Sequence, residues 1–151
     1  MARRHKRRRG NISASATDQR TRDSEKNDEN KISFSFAALD FNHPKFRIPE
    51  EYRVDFLYAL VTDALARYSA FTEKEFRKEN RRDHRHRIDF TKSSCREGFG
   101  LPAEDLNQDA WQIAVCSGRP QHPKNKWRVY GYLVESVFYI VWFDTQHDMF
   151  P

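Results

Sequence analysis

The residues of this chain best suited to chemistry are gathered towards its C-terminal end. Asp144, His147 and Phe150 follow a long apolar run there, and Arg128 and Tyr130 stand two apart in the segment before it. An imidazole is the side chain whose ordinary pKa lies near neutrality, so His147 can take or give a proton. Arg128 carries a permanent charge, and Tyr130 a hydroxyl that donates or accepts. Residues two apart in an extended chain share a side, so Arg128, Tyr130 and Tyr132 form either a reactive face or the half of a strand that meets solvent. His147 has an equally plain alternative, a hydrogen bond to Asp144 or to a nearby backbone group.

Polar groups of this kind act only if a rigid element holds them. Trp127 to Val134 reads as one strand, Glu135 and Ser136 as a turn, and Val137 to Phe143 as a second strand. The second is a continuous run of β-branched and aromatic residues, which predicts a strand covered on both sides near the centre of a sheet. Asp144, His147 and Phe150 leave its end.

The remaining elements follow from periodicity and capping. Ile32, Phe34 and Phe36 alternate with serines as in a strand with one buried face. Pro49, Glu50 and Glu51 open a helix, and Tyr52, Phe56, Leu57, Leu60, Ala64, Leu65 and Tyr68 give it one apolar face. Thr72 and Glu75 have capping-box spacing, with Phe71 and Phe76 as the hydrophobic staple of a second helix. Its continuation from Arg77 to Arg85 is nearly all charged. It is either a solvated helix face or a basic ridge, with Arg81, Arg82 and Arg85 facing a phosphate backbone. His86, Ile88 and Phe90 alternate as a strand, Gly98, Gly100 and Pro102 mark a long connection, and Trp111 to Cys116 is a further strand. The expected fold class is α+β: an N-terminal strand, two helices, then a four-stranded antiparallel meander with the helices packed on one sheet face.

Residues 1–30 read differently. Beyond Met1 and Ile12 they hold almost nothing strongly apolar, so a disordered basic tail is expected before a single domain at 31–151. Nine cations against five acids give this tail +4 of the chain's formal +5. Arg3, Arg4, Lys6, Arg7, Arg8 and Arg9 would attract RNA or the ribosome without sequence preference, would form a nuclear signal in a eukaryotic source, or would merely aid solubility. No apolar run before Lys31 has the length of a signal peptide, and Glu135 and Ser136 interrupt the apolar hairpin, so a cytoplasmic protein without membrane contact is expected. Cys95 and Cys116 form no metal-type pair. His84, His86, Cys95 and His122 lack the paired short loops of structural zinc sites, so neither metal nor cofactor is called for.

The order of elements, the size of the part after the tail, and the long apolar last strand followed by His147 and an aromatic residue resemble the RelE/ParE-type toxins of bacterial toxin–antitoxin systems. The resemblance covers Lys31 to Pro151 and rests on architecture and the C-terminal pattern. It implies metal-independent cleavage of mRNA, often on the ribosome, and an antitoxin protein as a partner. Such cleavage needs a base for the ribose 2′-hydroxyl, cations at the phosphate and an acid for the leaving oxygen. The matching positions are His147, Arg128 and Tyr130, with Arg87 or Lys92 around the first strand of the meander.

One departure is plain. Many of these ribonucleases end with a tyrosine where this chain has Phe150, which has no hydroxyl. Relatives of the ParE type poison a protein target instead. Two readings therefore stand: a toxin-like endoribonuclease, and a non-catalytic module that binds a protein partner or RNA. The first requires cations and at least one His or Tyr to converge on an open sheet face. Of Trp127, Tyr130, Tyr132 and Phe150, those exposed would offer stacking surfaces for bases, and the others fill the core.

Overall fold

Val137–Asp144 forms β5, the eight-residue strand on which the sheet is built. The computed structural model describes residues 31–101, 109–116 and 126–150, all within the unit Lys31–Pro151. The arm containing Arg3, Arg4, Lys6, Arg7, Arg8 and Arg9 lies outside the described residues, as does His122. In chain order the elements are β1 (Ser33–Ser35), a helix α1 (residues 50–68), a single turn α2 (Glu73–Phe76), β2 (His86–Arg87), β3 (Ala110–Ala114), β4 (Arg128–Val134) and β5. None of the described helices is long and apolar enough to cross a membrane.

The fold is α+β, with a five-stranded sheet of order β1-β5-β4-β3-β2. β2 to β5 form the expected antiparallel meander. β1 pairs parallel to β5 through Ser33↔Val137 and Ser35↔Tyr139, so the sheet is mixed. The reason is parity. β2 starts at the far edge running opposite to β1, and three reversals bring β5 back beside β1 in the same direction. β5 is thus interior, one place from an edge strand only three residues long.

Only one helix is substantial. The α2 capping box forms as read, Thr72 Oγ1 accepting from the Glu75 amide at 3.3 Å and the Glu75 carboxylate from the Thr72 amide at 2.9 Å. The helix nevertheless ends at Phe76, the last residue with an apolar surface to bury. Beyond it the charged run has nothing to set against the cost of ordering. It instead makes a turn closed by paired Asn80 and Arg85 backbones.

α1 contains a π-helical stretch, Leu60–Leu65. Phe56, Leu60, Ala64 and Tyr68 are buried at a constant spacing of four, which drifts around a regular helix of 3.6 residues per turn. The wider turn offsets that drift and keeps all four on the sheet. They pack with Phe76, Trp111, Ile113, Val129, Leu133, Phe138, Ile140 and Phe143 in one core. Tyr52 and Leu57, read as part of the same face, are exposed.

The other face of the sheet is covered as well, which corrects the open floor that a catalytic surface would need. Phe46, Ile88, Phe99 and Met149, all from irregular segments, cover Tyr130, Tyr132, Val141 and Trp142 in a second core. Phe46 stacks on Trp142 with ring centres 5.0 Å apart, and Phe99 meets it edge-on at 4.9 Å. Lys45 fastens this roof, its Nζ donating to Ser94 Oγ (3.0 Å) and to the Asp148 carbonyl (3.1 Å). β5 is therefore apolar on both sides because both sides are buried.

The two faces are kept distinct by a bulge. Tyr130 pairs with Trp142 but Gly131 with Ile140, leaving Val141 without a counterpart. Its carbonyl accepts from the Asp40 amide (3.0 Å). Gly131 makes the bulge possible, since a Cβ there would overlap the Tyr139 carbonyl oxygen and approach the Phe138 ring to 2.7 Å. Gly131→Ala is expected to cost about 3 kcal/mol and to lower the melting temperature by roughly 10 °C, measured by circular dichroism. An unchanged melting temperature would show that the backbone yields there freely.

Candidate functional site

The polar groups of the second face lie in two rows across the strands. Cross-strand neighbours share a face, so His86, Gln112, Tyr130 and Trp142 form one row, and Ala114, Arg128 and Asp144 the next. This end of the sheet is where imidazoles, a guanidinium and a carboxylate meet.

Asp144 anchors the group. It is only 2% exposed, a burial that a carboxylate tolerates when its lone pairs are filled. Its Oδ2 accepts from the Tyr130 hydroxyl (3.0 Å) and the Met149 amide (3.1 Å), and its Oδ1 from the Gln146 amide (3.0 Å). Arg128, also buried, sits directly opposite it in the ladder. Burial lowers the pKa of Arg128, and the nearby Tyr130 and Asp144 pull it back. Burial first and the Asp144 charge second hold the Tyr130 phenol far above its ordinary value. Tyr130 is thus a fixed donor to Asp144, not a proton shuttle.

Three imidazoles surround this centre, each on a different segment. His147 lies on the hook that Asp144 folds back, its Nδ1–H donating to the Phe150 carbonyl at 2.8 Å, which leaves Nε2 as the acceptor nitrogen. His86 donates from Nδ1–H to the Arg87 carbonyl (2.9 Å) and accepts at Nε2 from the Gln112 amide (3.1 Å). His84 occupies the turn after Arg81 and Arg82. Its pKa is held below the ordinary imidazole value, chiefly by burial, then by the positive fields of Arg128, His147 and His86, against a smaller raising effect of Asp83. His84 thus lies within electrostatic reach of the other three groups. The Phe150 ring flanks His86 with centres 6.4 Å apart.

His84 and His147 both adopt left-handed backbone, with φ of 53° and 64°. Each costs about 1–2 kcal/mol for a residue with a Cβ, and strain of this kind concentrates at functional sites.

Of the five residues expected to be catalytic, His147, Arg128 and Tyr130 are brought together. Arg128 and Tyr130 are sealed beneath the roof and do not line an open face. Arg87 is turned to the helix side, over the Trp111 ring at 5.5 Å and 3.5 Å from Asp109. Lys92 is exposed in a short turn and pairs with Asp89 at 3.1 Å. Arg81 and Arg82 are exposed. Arg85, read as an RNA contact, is buried: it donates to the Lys78 and Glu75 carbonyls at the end of α2, pairs with Asp83 at 2.8 Å and lies over the Phe71 ring at 4.7 Å. Those bonds satisfy carbonyls that the end of a helix leaves open, so its role is structural.

Sequence reasoning treated His84 and His86 only as zinc ligands, and passed over Gln112. Among the described residues no group of three His, Cys, Asp or Glu is placed to hold a metal ion. The available signal was Gln112 itself, an amide inside the apolar run Trp111 to Cys116. It is 1% exposed, and among the described residues its Oε1 has no hydrogen-bond partner. No protein-family model, curated protein or solved structure matches this chain.

Two substitutions separate anchor from imidazole. Asp144→Ala strands the Tyr130 hydroxyl, the Met149 amide and the opposing Arg128 charge, and is expected to cost about 3–5 kcal/mol. The midpoint of urea unfolding should fall with little change in slope, and a shift under 1 kcal/mol would remove Asp144 as the anchor. In His84→Gly the relieved strain outweighs the roughly 0.4–1 kcal/mol of extra unfolded-state freedom. That variant should be at least as stable as the wild type and more stable than His84→Ala in thermal melts. The reverse order would mean that the turn bears no strain.

Proposed function

We propose that this protein is a metal-independent endoribonuclease acting on mRNA in the manner of the RelE/ParE-type toxins its architecture resembles. Its basic arm, with Arg81 and Arg82, holds RNA or the ribosome. The open sheet face this reading called for is roofed over, so the reading rests instead on the end of the sheet, where Phe150 links His147 to His86 through its carbonyl and its ring, with His84 and the buried Arg128 near by. RNA cleavage without a metal needs one group to remove the 2′-hydroxyl proton as that oxygen attacks the adjacent phosphorus. A second group must protonate the departing 5′-oxygen, leaving a 2′,3′-cyclic phosphate.

A depressed pKa keeps His84 neutral near pH 7 and suits it to be the base. His147, with Nδ1 committed to Phe150, turns Nε2 to the departing oxygen and acts as the acid in its doubly protonated form. His86, fixed between the Arg87 carbonyl and Gln112, orients the site. Arg128 acts from below, its positive field favouring a negatively charged phosphate. Phe150, which cannot replace a catalytic tyrosine, offers a ring on which a single-stranded base can stack.

The second reading, a non-catalytic module that binds a protein partner or RNA, draws support from the roof over Arg128 and Tyr130. An antitoxin-like protein is the partner it would share with the first.

Incubation of the full chain with mRNA in EDTA, alone and with ribosomes, discriminates the two. Cleavage should fall about 10²–10⁴-fold in His84→Gly and His147→Asn, both of which suit left-handed backbone. Because the base must be neutral, activity should decline with acid only below the ordinary imidazole range around 6.5. Absence of cleavage under every condition would leave the binding module.

A further inference from the structure

One imidazole stands apart from the cluster, inside the roof of the second core. His43 lies half-buried in the irregular segment between β1 and α1, its ring stacked on Phe46 with centres 4.8 Å apart and tilted against Trp142 of β5 at 4.7 Å. Its Nδ1 accepts two backbone amides, that of Lys45 at 3.2 Å and that of Phe46 at 2.9 Å. Pro44 has no amide to offer and disfavours helical backbone at the residue before it. The ring therefore closes the turn much as the Asp40 carboxylate does for the Asn42 amide. A backbone amide only donates, so Nδ1 carries a lone pair and the ring proton sits on Nε2.

That one nitrogen positions the two residues that make and fasten the roof. Phe46, 1% exposed, covers Trp142 and Tyr130, and Lys45 ties the segment to Ser94 and to the Asp148 carbonyl of the hook. We infer that His43 is a proton-operated latch on the roof, closed by the neutral imidazole and released by the imidazolium. A second ring proton, on Nδ1, would point at two N–H groups, and both bonds would fail together.

The surroundings of the ring agree. The charged groups that face it are Asp40 and Lys45 of its own segment, and Trp142, its contact from β5, carries no charge. Burial opposes the proton most, Asp40 favours it and Lys45 opposes it, so the pKa of His43 is held below its ordinary 6.5. The faces of Phe46 and Trp142 attract a cation, but two lost amide bonds outweigh them. The open turn takes its proton at the ordinary value and the closed turn only below it. Closure is therefore complete above 6.5 and is lost as the pH falls through the lower value. Release uncovers the sheet face bearing Tyr130 and Trp142 and slackens the hook that carries His147. The latch does not depend on the ribonuclease reading, because its readouts are ring protonation and amide exchange, not cleavage.

Nuclear magnetic resonance of the isotope-labelled full chain tests it. The ring nitrogens of His43 should show a proton on Nε2 alone at neutral pH, with a titration midpoint below 6.5. From about pH 7.5 to about pH 5.5, the protection of the Phe46 amide against exchange, corrected for its intrinsic rate, should fall about fivefold, the worth of one hydrogen bond. In His43→Asn, whose side-chain oxygen accepts the same amides without titrating, that fall should disappear. Lys45→Met should lower protection at both pH values and keep the difference between them, because it cuts the strap and leaves the latch. A proton on Nδ1 at neutral pH, a midpoint at or above 6.5, or an equal fall in His43→Asn and the wild type would overturn the inference.

Discussion

A single buried carboxylate holds the C-terminal end of the sheet together. Asp144 closes β5, accepts the Tyr130 hydroxyl from β4 and the amides of Gln146 and Met149, and faces Arg128 across the ladder. The carboxylate, the hydroxyl and the amides would each be costly to bury alone, and together they satisfy one another. The chain after β5 consequently turns back onto the sheet. Met149 enters the second core, His147 is carried to the imidazole cluster, and the Ser94 amide donates to the Met149 carbonyl at 2.8 Å, joining the roof to the hook.

The bulge at Val141 and the glycine opposite it are what allow this arrangement. With strict alternation, Asp144 could share a face with Tyr130 only by turning Phe138 and Ile140 off the helix-side core. The extra residue reconciles an apolar face towards α1 with a polar row beneath the roof. The sheet is thereby buried on both faces by unlike materials, a helix on one and irregular segments rich in aromatic residues on the other. Irregular cover permits left-handed turns at its margin, and His84 and His147 occupy two of them.

α1 resolves a different conflict. Its buried residues recur every four positions and a regular helix would carry them off the sheet, so the π-helical stretch is the adjustment that lets one helix span the core. The outward face then keeps its own apolar stripe, a second surface with no part in holding the domain together. The domain so separates a polar end that gathers imidazoles from a helix with an exposed apolar face.

Much of the fold was legible from local signals. The apolar run 137–143, the alternation at 32–36, the capping box at Thr72 and Glu75, and the helix after Pro49 each depend on neighbours in the chain, and the meander follows from short connections. His147, Arg128 and Tyr130 were legible as one group because a hairpin brings them close. What sequence could not reveal depends on contacts between distant segments. β1 runs parallel to β5 because of the parity of the strands between them. Arg85 is structural because α2 stops short and exposes its carbonyls, and the floor is closed because loops some forty and ninety residues from β5 supply Phe99 and Phe46. Which residues are apolar, charged or titratable, and where most of the strands and helices begin, can be read along the chain. Which of them meet emerges with folding, because burial and electrostatic fields act through space, and the chain order of His84, Gln112, Arg128 and His147 holds no record of their distance.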